Sequence, residues 1–130
     1  MITVHTVDSA REWAEFRGVG QRIYRDDPFP APDEAIDIGS VLIDPPAEVA
    51  ATRCVRAFIA RDGDLAVGRI AAIHDLSFTE YTGESIGFFG FYEAIDQQEV
   101  ADALLSAASS WLAARGLASV SGPFSPSMFH

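Results

Sequence analysis

The sequence predicts an α+β domain: a mixed, mainly antiparallel sheet with helices packed on it. Three observations carry that expectation. "CVRAFIARDGDLAVGRIAAIHD" holds two apolar runs joined at Asp62-Gly63-Asp64, the pattern of a β-hairpin whose Gly63 takes a positive φ. "IGFFGFYEA", Ile86 to Ala94, crowds aromatic residues around glycines, as a strand buried on both faces does. "DQQEVADALLSAASSWLAARG" follows at once, with apolar residues at helical spacing.

In chain order, "ITVHTV" alternates and is β-branched, so Ile2 to Val7 reads as the first strand. Ser9 and Glu12 form a capping box for a helix whose Trp13, Phe16, Gly20, Ile23 and Tyr24 fall near one face. Pro28, Pro30 and Pro32 break that helix, because proline lacks the amide hydrogen. "AIDIGSVLIDPPAEVAA" is ambiguous, with a short helix expected around Glu34 to Leu42 before a loop. After the hairpin, "LSFTEYTGE" reads as a polar connector. In the long helix Asp96 and Glu99 make a second capping box; Val100, Leu104, Ala107, Ala108 and Trp111 form the buried stripe; Gly116 ends it. "LASVSG" is a final short strand, expected parallel to its predecessor through a right-handed crossover.

A chain of 130 residues suits one domain, spanning 1–130. Formal net charge is −10, with nine arginines and no lysine. Such a surface disfavours nucleic acid and anionic membranes, both of which need clustered cations. The missing lysine excludes a lysine nucleophile or Schiff base. No apolar run approaches the ~20 residues that span a bilayer. "MITVHTVDSA" lacks the basic segment of a signal peptide, and a single cysteine, Cys54, suits a reducing cytoplasm.

The element order, with "GRIAAI" on the third strand and "GFFGFYEA" on the fourth, resembles the GNAT N-acetyltransferase superfamily. The likeness is greatest to longer bacterial GNAT-like proteins. It rests on Tyr24-Arg25-Asp26-Asp27-Pro28, Val67 to Ile73, Gly87 to Glu93, Glu99 to Gly116, and Gly122-Pro123-Phe124-Ser125-Pro126-Ser127. The resemblance implies a sheet whose fourth and fifth strands splay apart. A bulge on the fourth would expose backbone groups to the pantetheine arm of acetyl-CoA or another acyl-CoA. By the same resemblance Phe89, Gly90, Phe91, Ala94, Gln97 and Gln98 are cofactor-binding positions, and Glu93 is the general base for a small-molecule primary amine. A base with pKa raised toward neutrality suits that work; a solvated carboxylate paired with arginine is the alternative. Gly87 and Gly90 fit a bulge, or they make room for neighbouring phenylalanines.

The resemblance also implies that the C-terminal part of the fold, a helix and two strands, is missing. A second copy in a homodimer, or the missing C-terminal segment, would complete the sheet. One departure from the pattern concerns the anion site. Active members open the long helix with Gln/Arg-x-x-Gly-x-Gly/Ala, whose free N–H groups hold a pyrophosphate. "AIDQQEVADA" has no glycine, and the expected capping box would occupy those donors with Asp96 and Glu99. Each carboxylate ~4 Å from a phosphate costs on the order of 1 kcal/mol in a water-like dielectric. That offsets the ~0.3–1 kcal/mol a helix terminus offers an anion. Two readings stand: an acyl-CoA-dependent N-acyltransferase, and a non-catalytic GNAT-fold module that binds a ligand or a partner chain.

Other residues read as structural. His5, His74 and His130 lie far apart without ligand spacing, so no metal site is expected. Cys54 is a small hydrophobe rather than a thiol nucleophile working with His74. Tyr92 faces opposite Glu93, into the core. Arg69 lies inside an apolar strand and needs a partner: a carboxylate such as Glu93 or Glu84, or a ligand. Arg11, Arg17, Arg22 and Arg25 form the solvated face of the first helix beside Glu12 and Glu15.

Overall fold

The computed structural model describes residues 2–23 and 53–124. The proline-broken stretch, the helix expected around Glu34 to Leu42 and the tail from Ser125 lie outside them. The elements are β1 (Ile2–Thr6), α1 (Ala10–Ile23), β2 (Arg53–Asp62), β3 (Leu65–Asp75), α2 (Leu76–Thr82), β4 (Ile86–Ala94), α3 (Gln98–Ala114) and β5 (Ser119–Phe124). The strands form one sheet in the order β1-β2-β3-β4-β5. The β2–β3 and β3–β4 pairings are antiparallel and β4–β5 is parallel, as the element pattern predicts, and β1 joins β2 antiparallel.

Period-two alternation divides the strand side chains between two faces. On one face Phe16 and Val19 of α1 pack with Ala57, Ile59 and Ala71. On the other, Val100, Leu104, Ala108 and Leu112 of α3 pack with Phe58, Ala60, Ile70 and Ala72. The middle of the sheet is therefore covered twice. That explains why β3 reads as an unbroken apolar run: every residue from Ala66 to His74 is buried. The α3 stripe holds Leu112 in place of the expected Trp111 and Ala107, which pack at its margin.

Local chemistry sets the ends of these elements. Gly63 takes φ 65 in the β2–β3 turn, as expected. Ser9 Oγ accepts the N–H of Glu12 at 3.1 Å, while the Glu12 carboxylate reaches back to the N–H of Asp8, one residue earlier than a capping box requires. The segment expected as a polar connector instead forms α2, a seven-residue helix too short to show two turns of apolar periodicity. Gly116, at φ 86, ends α3 in a Schellman arrangement: Leu117 N–H donates to Leu112 C=O at 3.2 Å, and Gly116 N–H to Ala113 C=O at 2.9 Å.

Glycines decide how closely α3 lies on the sheet. A Cβ at Gly68 would stand 2.7 Å from Leu104 Cδ1 and 3.0 Å from Val100 Cγ1. A Cβ at Gly87 would stand 2.7 Å from Leu112 Cδ2 and 3.0 Å from Leu117 Cδ1. Gly87 therefore makes room for leucines of the helix layer, not for neighbouring phenylalanines. Among the described residues no helix is long and apolar enough to cross a membrane.

Candidate functional site at the end of β4 and the start of α3

Pairing along β4 is irregular on both edges. Toward β3, Gly90 pairs with Ala71 and Glu93 with Arg69, so Phe91 and Tyr92 together oppose Ile70 alone. This two-against-one count is a β-bulge. Phe91 takes φ 55, a left-handed conformation that costs a residue with a Cβ ~1–2 kcal/mol. Toward β5 the pairing described ends at Gly90 with Phe124, the last of the described residues, while β4 itself runs on to Ala94.

The bulge redistributes the side chains. Phe89 and Tyr92 pack on the α3 face, whereas Phe91 packs on the α1 face. Burial, helped by the carboxylates of Asp102 and Glu93, pushes the Tyr92 phenol up, so it stays protonated through neutral pH. Glu93 is half-buried and directly across from Arg69. Cross-strand partners share a face, which puts Glu93 on the α1 side.

Arg69 itself is fully buried. Its Nε donates to Phe91 C=O and its Nη1 to Phe16 C=O, both at 3.0 Å, and the guanidinium sits 5.1 Å from the centroid of the Phe16 ring. The hydrogen bonds described for it thus go to backbone carbonyls on two elements. Glu84, one of the carboxylates considered for it, lies exposed in the α2–β4 loop, with its N–H donating to Thr82 Oγ1. No sequence pattern announces this arrangement, because Phe16 and Phe91 are distant in the chain. The one available signal is a charged residue within an apolar strand.

The expected capping box at α3 does not form. The N-cap is Gln97, at φ −139 and ψ 125, with no side-chain hydrogen bond capping the helix. A tight turn, Gln97 N–H to Ile95 C=O at 2.8 Å, starts the helix one residue later than the spacing of Asp96 and Glu99 requires. Gln97 C=O then receives both Val100 N–H and Ala101 N–H. The N–H groups of Gln98 and Glu99 are left without a capping side chain, as first-turn donors that need an acceptor. Asp96, Gln97, Gln98 and Glu99 are all exposed, and Gln98 Nε2 donates to Asp102 Oδ1 at 2.7 Å. The acids lend charge to this region without occupying its donors.

The sequence-predicted positions therefore converge on one continuous segment. Gly90 and Phe91 form the bulge, Glu93 and Ala94 end the strand, and Gln97 and Gln98 begin the helix. Phe89 and Ala94 face α3 with their side chains, which leaves only their backbone for a ligand. A separate groove of about 810 Å³ lies between α1 and the β2–β3 turn, lined by His5, Arg11, Glu12, Glu15, Arg61 and Asp64. Within it Arg61 is already paired, donating to both Glu15 carboxylate oxygens.

No family model matches the chain. Protein YghO of Escherichia coli (strain K12) is 41% identical over 70 residues, which make up 54% of this chain and 18% of that protein, so the chain spans about a fifth of its length. Among solved structures, the aminoglycoside acetyltransferase AAC(6')-Iy, in complex with the bisubstrate analogue CoA-S-monomethyl-acetylneamine, aligns with a TM-score of 0.63 at 20% identity. The alignment covers 97% of this chain and 81% of that one. A putative acetyltransferase from Pyrococcus furiosus aligns at 0.60 and 17% identity, over 99% and 88% of the two chains. FeeM, an N-acyl amino acid synthase from uncultured soil microbes, aligns at 0.61 and 14%, over 90% and 68%. These likenesses establish the GNAT fold.

Proposed function

We propose that this GNAT-fold chain binds acyl-CoA as a substrate along the end of β4 and the start of α3, and transfers the acyl group to a primary amine. The observation that carries the reading is the bulge at Phe91 and Tyr92, set a few residues before a helix that begins without a side-chain cap. A bulge turns backbone groups out of the ladder, where an extended amide-bearing ligand can pair with them. First-turn N–H groups at Gln98 and Glu99 suit a phosphate, with the helix dipole behind them. Acyl-CoA supplies the thioester that the amine attacks.

Glu93 stands beside the bulge and would accept the proton that the amine loses as its nitrogen bonds to the acyl carbon and the thiolate departs. A second reading, a non-catalytic module that binds a ligand other than acyl-CoA or a partner chain, is favoured by the exposed Asp96 and Glu99 at the same helix start. Calorimetric titration with acetyl-CoA separates the two. Heat with a micromolar Kd is expected, and silence at millimolar ligand would remove the acyltransferase reading.

A further inference from the structure

We propose that Arg69 is a positioning residue that sets the aim of the β4 bulge. How the bulge is used rests on the acyltransferase reading, whereas the conformational role can be tested without it. Arg69 is the largest of the fully buried side chains among the described residues. Hydrophobic residues of similar volume commonly replace buried charges without loss of stability, so filling space does not account for a guanidinium here. What an arginine adds is direction. Its donors sit on a rigid planar fork, and two of them hold Phe91 C=O on β4 and Phe16 C=O on α1 at 3.0 Å each. The ring of Phe16 beneath the guanidinium restricts it further.

The consequence follows from the peptide plane. In a trans peptide the carbonyl and the following amide hydrogen point in opposite directions. Drawing Phe91 C=O toward the Arg69 head, which comes from β3, turns the N–H of Tyr92 away from that head. The left-handed φ of Phe91 is the backbone signature of that rotation. Arg69 thus offsets the strain at Phe91 and ties the bulge to α1, so that the donor presented by β4 has one orientation instead of several.

The experiment uses the full chain, NMR amide exchange and the intraresidue amide–Hα contact that marks a left-handed residue at Phe91. In Arg69→Met, exchange at Phe91, Glu93 and Ala94 should rise at least ten-fold and the Phe91 signature should fade, while Val100 to Leu112 in α3 keep their protection. Unchanged exchange at the bulge, or an equal rise in α3, overturns the proposal. Where Arg69→Met does not fold, Arg69→Lys carries the test: it keeps the charge but cannot grip both carbonyls with one fork. The same selective rise is expected, and its absence overturns the proposal. If the parent protein binds acetyl-CoA, Arg69→Lys should weaken that binding about ten-fold. If the parent binds none, the acyltransferase reading fails, and the exchange data still decide the role of Arg69.

Discussion

His74 shares with Arg69 the distinction of being a polar or charged side chain buried among the described residues. Its Nδ1 accepts a hydrogen bond from Arg115 Nε at 2.9 Å, so the ring is neutral and carries its proton on Nε2. Burial, and then the charge of Arg115, lower its pKa below the ordinary 6.5, against a smaller opposing pull from Asp75. Because the unfolded chain takes up a proton near that ordinary value and the folded chain resists it, stability is full above it and falls as the pH drops toward the depressed folded pKa. Denaturant titrations of His74→Gln should show a flatter loss of stability between about pH 7 and 5, the range in which a free imidazole titrates. Parallel curves for variant and parent would contradict this account. The sequence shows His74 but not this role, since its partner lies on another element and only folding brings the two together.

At the scale of elements, β4 was fully legible. Its aromatic run and bounds match the strand Ile86–Ala94. The start of α3 was not, because the spacing of Asp96 and Glu99 satisfies the capping rule, yet the Ile95–Gln97 turn shifts the helix by a residue. Local propensity lost to the geometry of the strand exit. The contact between these layers is open to a direct test. Gly87→Ala would place its new methyl 2.7 Å from Leu112 Cδ2 and should destabilise the protein by ~1–3 kcal/mol through overpacking. Leu112→Ala alone should cost ~2–5 kcal/mol, as expected for a buried leucine. If the two meet as described, the double variant loses less than the sum in a chemical denaturation cycle. Strict additivity would show that they do not touch.

For the whole molecule, charge is the dominant feature. At −10 the protein repels an anion such as acetyl-CoA, though at ~0.15 M salt the screening length of ~8 Å leaves only the nearest acids effective. Asp96 and Glu99 are those acids if the ligand lies where we propose. Asp96→Asn with Glu99→Gln should tighten acetyl-CoA roughly thirty-fold at low salt, from two interactions each on the order of 1 kcal/mol. The gain should shrink in concentrated salt. An unchanged Kd in a folded variant would move the phosphates elsewhere. The α+β sheet was readable from the sequence because β1 alternates, α1 and α3 carry helical spacing, and β2 to β4 are apolar runs bounded by turn residues. The bulge was expected only by resemblance. Its exact placement at Phe91 depends on registers that no local pattern encodes.

Gly68 and Gly87 have one more implication. A rod resting on a surface at one point can swing; held at two, it can neither swing nor slide. Gly68 meets Val100 and Leu104 in the first half of α3, and Gly87 meets Leu112 near its end. The helix is thereby fixed to β3 at its start and to the bulged β4 at its end, and a molecule touching helix and strand would find a single stiff platform.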